Sequence, residues 1–452
     1  MEKYRLSKYN EFIKYGSSVI GVNLNKHLMF NFDKEKYNLL IAHKSNLTAL
    51  KESSPLLFST MYKLGIIEDI DLNIPDILVL KNRQQVFSNE SFRLIINPTL
   101  NCNFSCWYCY ETHSKKRMEN ETVDAVIKLI DSLATKKRIS RLQIDWFGGE
   151  PLLCFETVIK PISIAAKQIC AENDVNLSMK MTTNGFYVKE QMISFFEEHN
   201  LRSFQITIDG NKEKHNLTRF YGKDKKGSFD TVVSNICLLA TKMNIALRIN
   251  YTKDSLENCE EIIDCFPKNI RQNIQLTLVQ VWQDRSENNE TIRTELNKKE
   301  LTIYKNFREV GFQVNMIRFA CGTNCSCYAD VYNEAVINYD GRVFKCTTAN
   351  FEEDKEEGIL TVDGEIIWDE DMLSKRLSKA TFDNKICMKC EYLPLCNGGC
   401  STNPIVKVIQ DKCRFKPRLK QSIKELMIHF GKNNYKIRHL EVLKQELSSQ
   451  NN

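Results

Sequence analysis

The stretch of sequence that decides the fold is Asn101-Cys102-Asn103-Phe104-Ser105-Cys106-Trp107-Tyr108-Cys109-Tyr110-Glu111, directly after a strand predicted at Arg93–Asn97. Its cysteines have the spacing C-x3-C-x2-C, and no fourth cysteine follows closely. Three thiolates on one short loop can ligate three irons of a [4Fe–4S] cluster, which usually takes four cysteines. One iron then stays open for a substrate or cofactor, as in a catalytic metal site that keeps a free position.

An alternative for this loop is a structural zinc knuckle, with a distant fourth ligand such as His113. The position of the loop, directly after the first strand of a βα series, argues against a knuckle. Trp107 and Tyr108 would shield an iron–sulfur cluster, and burial tunes the potential of such a cluster. We therefore predict a catalytic cluster on Cys102, Cys106 and Cys109.

The composition of the whole chain is ordinary for a globular protein. Its 452 residues are 42% hydrophobic and 27% charged, and the net charge of +6 is too mild to indicate nucleic acid binding. The N-terminus has no apolar signal-peptide core and no run of about 18 apolar residues exists, so we expect no signal peptide and no membrane span. Eleven of the 17 cysteines fall into two clusters with chelating spacings. This pattern is typical of metal binding in the cytoplasm rather than of a disulfide framework.

Three blocks are predicted along the chain, at 1–90, 91–300 and 301–452. The first contains no cysteine, and its strands and small helices suggest a winged-helix-like module. The alternative is a simple packing extension of the second block. In the first block, a strand pair is predicted at Ser18–Leu24 and His27–Phe32, with a turn at Asn25-Lys26. A helix is predicted at Lys36–His43. A second helix has Ser54 as N-cap and Pro55 at its first position, and it stops at Gly65.

The second block alternates strands and helices. Such a rhythm predicts a parallel sheet, open or barrel-like, with the active site at the carboxyl ends of the strands. The helical stretches are predicted near 120–135, 155–173, 188–199, 228–243 and 255–265. The strands are predicted at Arg93–Asn97, Gln143–Phe147, Ser178–Thr183, Ser203–Ile208, Ala246–Tyr251 and Gln275–Val281.

Polar motifs end the second, third and fourth strands. The second ends in Gly148-Gly149-Glu150-Pro151, where the glycines let backbone approach a ligand closely and Glu150 can accept from an ammonium group. The third ends in Thr182-Thr183-Asn184-Gly185, and the fourth in Ile206-Thr207-Ile208-Asp209-Gly210. Taken alone, a Gly-Gly pair is usually a turn. The ordered series at successive strand ends makes coincidence improbable.

Two charged residues follow the fourth motif. The guanidinium of Arg219 suits a carboxylate, although a single arginine is more often part of a surface ion pair. His215 fits a structural role as well as a catalytic one. The register of the fifth strand predicts that Asn250 points into the site.

The third block, 301–452, is loop-rich and cysteine-rich, and a helical tail is predicted at about 417–448. Its spacings match two four-coordinate sites, which could hold two [4Fe–4S] clusters or zinc ions. Cys325 is unassigned. The cysteines of these spacings are Cys321, Cys327, Cys346, Cys387, Cys390, Cys396, Cys400 and Cys413. The cysteines outside any chelating spacing are predicted to be buried core thiols, namely Cys154, Cys170, Cys237, Cys259 and Cys265.

The first loop resembles the signature of the radical S-adenosylmethionine (SAM) family, C-x3-C-x-Φ-C, with Tyr108 as the aromatic Φ. This resemblance implies a partial (β/α)6 barrel of α/β class and an open iron that chelates the amino and carboxylate groups of SAM. Reduction then yields a 5′-deoxyadenosyl radical that abstracts a hydrogen atom from the substrate.

The motifs at the strand ends are similar to those of the same family. The resemblance implies that Gly148, Gly149, Glu150 and Pro151 hold the SAM amino group, and that Arg219 pairs with its carboxylate. Asn184 belongs to the motif after the third strand. Thr207 takes the place of the hydroxyl residue that contacts the SAM ribose, and Asp209 belongs to the same motif.

The cysteines of the third block resemble those of the SPASM domain of peptide-modifying radical SAM enzymes. The resemblance implies two auxiliary [4Fe–4S] clusters, and hence three in total. The inner cluster takes Cys321, Cys327, Cys346 and Cys400. The outer cluster takes Cys387, Cys390, Cys396 and Cys413.

The function implied is maturation of a ribosomally made precursor peptide whose leader binds the first block along a strand edge. The product could carry a thioether, a carbon–carbon or carbon–oxygen crosslink, or an epimerised residue, and a flavodoxin- or ferredoxin-type protein would donate electrons. A rival is an anaerobic sulfatase-maturing enzyme, in which an aspartate follows the third inner-cluster cysteine. Here Thr347 follows Cys346, although Asp330 or Asp340 could substitute. Other rivals are a non-catalytic zinc-binding interaction protein and a nucleic-acid-modifying radical SAM enzyme.

Overall fold

The computed structural model describes residues 2–284, 290–314, 327–400, 413, 415–433 and 435–440. The chain divides into two compact units. The first unit joins Met1–Val86 to Met316–Val331 and Leu377–Gln450, and the second joins Phe87–Asn315 to Tyr332–Arg376.

The N-terminal part of the first unit confirms the predicted hairpin and both predicted helices. The hairpin pairs Ser18 with Asp33 and Asn23 with Leu28, and the third helix ends before Gly65, whose φ of +75° suits a glycine after a helix. The elements are β1 (Tyr4–Leu6), β2 (Asn10–Tyr15), β3 (Ser18–Asn23), β4 (Leu28–Asp33), α1 (Lys34–Ala42), α2 (Leu47–Ser53), α3 (Pro55–Lys63), β5 (Ile67–Asp69) and α4 (Ile74–Val86).

The first half of the second unit contains the predicted βα series. The predicted helix at 255–265 is a 3-10 helix, Leu256–Cys265. The elements are β6 (Ser91–Ile96), α5 (Asn120–Thr135), β7 (Arg141–Trp146), α6 (Lys160–Glu172), β8 (Asn176–Thr183), α7 (Glu190–Glu198), β9 (Leu201–Ile208), α8 (Lys212–Thr218), β10 (Phe220–Tyr221), β11 (Lys226–Gly227), α9 (Phe229–Ala240), β12 (Asn244–Tyr251) and β13 (Ile274–Gln280).

The rest of the chain adds short strands and helices. The second unit continues with α10 (Glu290–Glu309), β14 (Gln313–Val314), β15 (Glu334–Ile337), β16 (Arg342–Phe344), β17 (Gly358–Leu360), β18 (Ile366–Trp368) and α11 (Glu370–Leu377). The C-terminal part of the first unit contains α12 (Lys385–Lys389), α13 (Leu393–Cys396), α14 (Phe415–Lys432) and β19 (Ile437–His439).

The second unit is built on one sheet of eleven strands, in the order β14-β13-β12-β9-β8-β7-β6-β15-β16-β17-β18. Strands β6 to β9, β12 and β13 pair in parallel, as predicted. The short strand β14, which was not predicted, adds a further parallel strand beside β13. Leu94, Ile95 and Ile96 of β6 are all buried, which is typical of a parallel strand covered on both faces. The carboxyl ends of β6 to β9, which carry the predicted motifs, therefore meet at one edge of the sheet.

The sheet of the first unit has the order β19-β4-β3-β2 and lies between two sets of helices. On one face, Ile20 and Val22 of β3 share a core with Met427 of α14. On the other, Phe30 of β4 packs with Met61 of α3. The N-terminal strands thus bury apolar side chains against residues near the other end of the chain.

The predicted helical tail at 417–448 is wrong beyond Lys432, because residues 437–439 form β19 instead. The pairing of β19 with β4 explains the difference, since an uncovered strand edge offers hydrogen bonds that local helix propensity cannot anticipate. The end of this prediction, at 441–448, lies outside the described residues. None of the described helices is long and apolar enough to span a membrane.

Candidate functional site

The cysteine loop follows β6 and lines a cavity of about 190 Å³ in the second unit. Cys102 and Cys106 are partly buried, whereas Cys109 is exposed. The loop is held before its first cysteine and between its first two cysteines, because Thr99 pairs with Arg117 and Phe104 pairs with Tyr221 as isolated bridges. The three predicted ligands therefore face one cavity from a fixed loop.

The donor set fits a cubane with one open iron. Among the described residues that line the cavity, no fourth cysteine accompanies Cys102, Cys106 and Cys109. Nor do the described parts of the chain bring three or more His, Cys, Asp or Glu side chains together at single-ion distances. Burial raises the pKa of the Cys102 thiol to about 12, so cluster assembly there must displace a proton.

The two glycines after β7 seat the cysteine loop. The N–H of Gly149 donates to the carbonyl of Thr99 at 3.1 Å, and the N–H of Glu150 donates to that of Asn101 at 2.8 Å. A Cβ atom on Gly149 would lie 2.3 Å from the Asn101 carbonyl oxygen, and one on Gly148 would lie 2.4 Å from that of Thr99. Both positions are closed to any side chain.

Glu150 is fully buried and ties the end of β7 to the end of β8. Its Oε1 accepts from the Thr183 hydroxyl at 2.7 Å and from the Leu152 N–H at 3.0 Å, and its Oε2 accepts from the Asn184 N–H at 2.8 Å. Burial raises the pKa of the Glu150 carboxyl to about 7, although these hydrogen bonds lower it. Neither Glu150 nor the buried Pro151 lines the cavity.

Asn184 lines the cavity and contacts the cysteine loop. Its side-chain amide donates to the Asn103 Oδ1 at 2.8 Å and lies 3.7 Å from the Sγ of Cys102. Hydrogen bonds to a ligating sulfur tune an iron–sulfur cluster. This residue is therefore placed to act on the loop as well as on a ligand in the cavity.

Tyr108, Asp209 and Arg219 form a closed triangle of hydrogen bonds. The Tyr108 hydroxyl lies 2.6 and 2.8 Å from the two carboxylate oxygens of Asp209, and the Nη2 of Arg219 donates to this hydroxyl at 2.7 Å. The Nε of Arg219 donates to Asp209 at 2.8 Å. Tyr108 and Arg219 line the cavity, whereas Asp209 supports them from behind.

His215 is fully buried beneath this triangle and does not line the cavity. Its Nδ1 accepts from the Asp209 N–H at 3.4 Å, and its Nε2 lies 2.9 Å from the Ser228 hydroxyl, which donates to the Arg219 carbonyl at 2.7 Å. Burial, and then the Arg219 charge, lower the pKa of His215 to about 3. Of the two roles considered for it, the structural one fits a neutral positioning residue.

Polar side chains of β9, β12 and β13 form the floor of the cavity. The predicted site residues Thr207 and Asn250 line it, together with Gln205, Arg248 and Gln280. Arg248 pairs in register with Thr207 and donates from its Nε to the Asn250 Oδ1 at 2.7 Å. Alternate residues of parallel strands point the same way, so the period-two pattern Gln205/Thr207 and Arg248/Asn250 could have identified the floor.

Sequence reasoning missed Glu111, which lines the cavity two residues after Cys109. Burial raises the pKa of its carboxyl to about 7. His113, considered above as a zinc ligand, also lines the cavity, and its Nε2 lies 3.4 Å from the Cys109 Sγ.

The predicted outer ligands lie near one another in the first unit. Burial, followed by the neighbouring thiols of Cys413, Cys387 and Cys390, raises the pKa of Cys396 to about 12. The thiols of Cys387, Cys390 and Cys413 are therefore near enough to Cys396 to act on its charge. Of the predicted inner ligands, Cys321 lies outside the described residues, as does the unassigned Cys325. Cys327 and Cys400 belong to the first unit and Cys346 to the second.

The cysteines without chelating spacing divide into two groups. Cys154, Cys170 and Cys259 are buried core thiols, as predicted. The prediction is wrong for Cys237 and Cys265, which are only partly buried. Cys265 is the last residue of the 3-10 helix, and the Cys237 Sγ lies beside it, 3.7 Å from its carbonyl oxygen.

Residues 96–271, which carry all of the cavity motifs, match the model of the Radical SAM superfamily. The protein is a radical SAM enzyme. This family uses SAM and a [4Fe–4S] cluster, and Cys102, Cys106 and Cys109 are residues of this chain that would hold the cluster. Three thiols, rather than four, line the cavity because one iron of such a cluster stays open for SAM.

Known proteins similar to this radical SAM enzyme act on proteins or peptides. It is 25% identical over 347 residues to the cysteine-type anaerobic sulfatase-maturating enzyme of Clostridium novyi, covering 70% of this chain and 89% of that one. The solved structure of anSMEcpe with bound AdoMet and the Cp18Cys peptide has a TM-score of 0.57 at 19% identity, over 75% of this chain and 99% of that one. Streptococcus suis SuiB bound to its precursor peptide SuiA has a TM-score of 0.50 at 15% identity, over 91% and 98%. These two structures share the fold.

Proposed function

We propose that this radical SAM enzyme modifies a ribosomally made precursor peptide by abstracting a hydrogen atom from it. The observation that carries the proposal is the cavity itself, which Cys102, Cys106 and Cys109 line together with the polar side chains of its floor. A [4Fe–4S] cluster bound there supplies, with SAM, a 5′-deoxyadenosyl radical. The precursor peptide in the SuiB structure supports a peptide as the substrate class.

In this proposal the residues of the cavity orient SAM. The backbone of Gly148 and Gly149 receives the amino group, and the guanidinium of Arg219 binds the carboxylate. Arg219 suits this role because Asp209 and Tyr108 fix its Nε and Nη2 groups. No described residue accepts from its Nη1 group, which remains available to an anion.

Glu150 has a positioning role in this proposal rather than a direct contact with the SAM ammonium. Its carboxylate oxygens already accept three hydrogen bonds from Thr183, Leu152 and Asn184. When it is ionised, its carboxylate also favours a cation at the neighbouring glycine backbone. Pro151 starts the turn after it, and Thr207 and Asn250 face the rest of the cofactor from the floor.

We assign residues 301–452 to a bridging region, a SPASM domain with two auxiliary [4Fe–4S] clusters and C-terminal helices. The proximity of the Cys387, Cys390, Cys396 and Cys413 thiols supports the outer cluster. Auxiliary clusters would accept an electron from the product radical or bind the substrate. A flavodoxin- or ferredoxin-type donor in the cytoplasm would supply the initiating electron.

We assign residues 1–90 to a winged-helix-like module that recognises the leader of the precursor, and 91–300 to the radical SAM barrel. The sheet β2 to β4 with helices α1 to α3 supports the first assignment. Removing 1–88 is a poor test, because Ile20 and Val22 share their core with α14. Single substitutions at the sheet edge are a cleaner test of this role.

A Cys106→Ala variant tests the proposal at its centre. It should form no 5′-deoxyadenosine from SAM under anaerobic reduction, while a Cys154→Ala variant, which loses a buried thiol outside the loop, should keep this activity. Normal SAM cleavage by Cys106→Ala would refute the loop assignment. Stoichiometric zinc without acid-labile sulfide in the anaerobically purified protein would refute the proposed iron–sulfur enzyme activity.

A second candidate is an anaerobic sulfatase-maturing activity, which the Clostridium novyi relative favours. Thr347 stands where this subfamily has its aspartate, and Asp340 is held at a turn by Asn338 and Arg342. Mass spectrometry after anaerobic turnover distinguishes the two candidates. Formylglycine in a sulfatase-derived peptide supports this one, and modification only of a peptide from a neighbouring reading frame supports the first.

A further inference from the structure

The two edges of the sheet in the first unit differ. The strand order β19-β4-β3-β2 leaves β2 at one edge, while β19 covers β4. Ile437–His439 forms β19 and pairs antiparallel with Leu28–Phe30, some 400 residues earlier in the chain. The chain thus adds a strand to its own N-terminal sheet, which is the geometry by which an extended peptide binds a sheet edge.

Backbone hydrogen bonds join β19 to β4 at every second pair. The N–H of Asn31 donates to the Lys436 carbonyl at 2.9 Å, and the N–H of Leu440 donates to the His27 carbonyl at 2.8 Å. Because antiparallel pairs alternate between bonded and non-bonded ones, the pair of Arg438 with Met29 between them is also bonded. The N–H of His439 therefore faces away from β4.

The side chains of β19 lie at the surface of the unit. All three are exposed, Ile437 at 48%. The Arg438 guanidinium lies 4.7 Å from the centre of the Tyr435 ring, and the His439 ring meets the His27 ring at a centroid distance of 6.0 Å. The following Leu440 is fully buried and packs in the core with Met29. A peptide with one aliphatic side chain in place of Leu440 could form the same backbone bonds with this edge.

We infer that Ile437–His439 is an exchangeable strand that occupies the binding edge for the leader of the precursor peptide. This inference rests on the proposed function and names the surface that the leader uses. The leader would pair with β4 as an extended segment and displace β19. The chain would then inhibit its own leader binding until a longer or better-matched strand arrives.

Among the residues that the structure describes, no further strand pairs with β2, but its edge is the less suitable surface. Tyr15 and Ser18 close a two-residue turn, so they form a bonded pair and the outward backbone groups of β2 are those of Asn10, Phe12 and Lys14. The Asn10 N–H already donates to the Ser7 carbonyl at 3.3 Å. Two residues remain to offer bonds at this edge, whereas three residues of the β4 edge bond the exchangeable strand.

The test uses the full-length protein and a fluorescently labelled peptide with the sequence of its residues 434–442. An Arg438→Pro variant loses the N–H that bonds Met29, whereas a matched His439→Pro variant loses one that faces away from β4. We expect the labelled peptide to bind Arg438→Pro about fivefold more tightly than His439→Pro or the unmodified protein, the ratio that one lost backbone hydrogen bond corresponds to. Fluorescence anisotropy measures the binding, and circular dichroism checks the fold.

A second arm adds the unlabelled peptide from the neighbouring reading frame. It should displace the labelled peptide from Arg438→Pro. Adding Lys14→Pro to this variant should leave the displacement unchanged. Equal binding of the labelled peptide to all three proteins would overturn the inference. A loss of precursor binding in Lys14→Pro alone would also overturn it, and would identify β2 as the binding edge. Modification of the precursor is measured separately. A precursor that is modified normally but does not displace the labelled peptide would refute the exchangeable strand and leave the proposed function standing. A precursor that is neither bound nor modified sinks the proposed function too.

Discussion

The hydroxyl of Tyr108, a residue between two cluster cysteines, accepts a hydrogen bond of 2.7 Å from the guanidinium of Arg219, 111 positions later. Asp209 closes the triangle by bonding both residues. This contact joins the cysteine loop after β6 to the segment after β9. It makes the position of the loop depend on the residue proposed to bind the SAM carboxylate.

A Tyr108→Phe substitution should therefore weaken SAM binding without removing the cluster. The variant loses the hydrogen bonds of one hydroxyl to two charged groups, and each such bond contributes about 1.5–3 kcal/mol. Asp209 and Arg219 still pair, which limits the effect. We expect KM for SAM to rise about tenfold, with unchanged iron content, in an assay of 5′-deoxyadenosine release. A Trp107→Phe control, at a side chain 57% exposed, should behave like the unmodified enzyme. An unchanged KM in Tyr108→Phe would contradict the coupling.

A Gly149→Ala substitution should displace the cysteine loop and prevent cluster binding. The added methyl group would lie 2.3 Å from the Asn101 and Leu100 carbonyl oxygens, which belong to backbone and cannot move aside freely. Iron and sulfide analysis after anaerobic reconstitution should show the loss. The control is Gly222→Ala, since Gly222 has a φ of +71° and open space around its Cβ position, so it adds backbone strain without a clash. Full cluster content in Gly149→Ala would mean that the loop is less confined than the contacts imply.

A Glu150→Gln substitution should change the pH dependence of stability. The folded pKa of about 7 lies above the ordinary value of 4.5, so the folded state binds more protons than the unfolded state between these values. The contribution of Glu150 to stability is thus complete below about pH 4.5 and is lost as pH rises to 7, by roughly 3 kcal/mol. The glutamine of the variant cannot titrate. Thermal melts of both proteins from pH 5 to 8 should converge or cross as pH rises, and a constant difference would show that Glu150 does not titrate in this range.

A Cys396→Ser substitution tests the outer auxiliary cluster. Three [4Fe–4S] clusters hold about twelve irons per chain, and loss of one should leave about eight. Because Cys396 lies at the end of α13 beside the buried core of the first unit, the variant should also melt at a lower temperature. Cys237→Ser, at a partly exposed cysteine outside the predicted clusters, serves as the control. An unchanged iron content in Cys396→Ser would remove this residue from the ligand set.

Much of the fold and of the site could be predicted from local signals. The strand-and-helix rhythm predicted β6 to β9, β12 and β13, because buried parallel strands and amphipathic helices have distinct periods. The cysteine spacing predicted the loop, and the motifs at strand ends predicted which residues meet at the cavity. Glu111 escaped prediction because its role depends on burial beside the loop, which a single acidic residue in sequence does not reveal.

The sequence by itself determined the chemistry, because ligand spacing on one loop and glycines at a strand end are short-range properties of the chain. Only the tertiary structure decided which contacts the individual residues make. It made Glu150 a buried tie between the ends of β7 and β8, and His215 a buried neighbour of Asp209 and Arg219. It also paired Ile437–His439 with β4 where a helix was predicted. The physical reason is that burial and long-range hydrogen bonds depend on which residues fold together, and no local pattern encodes that.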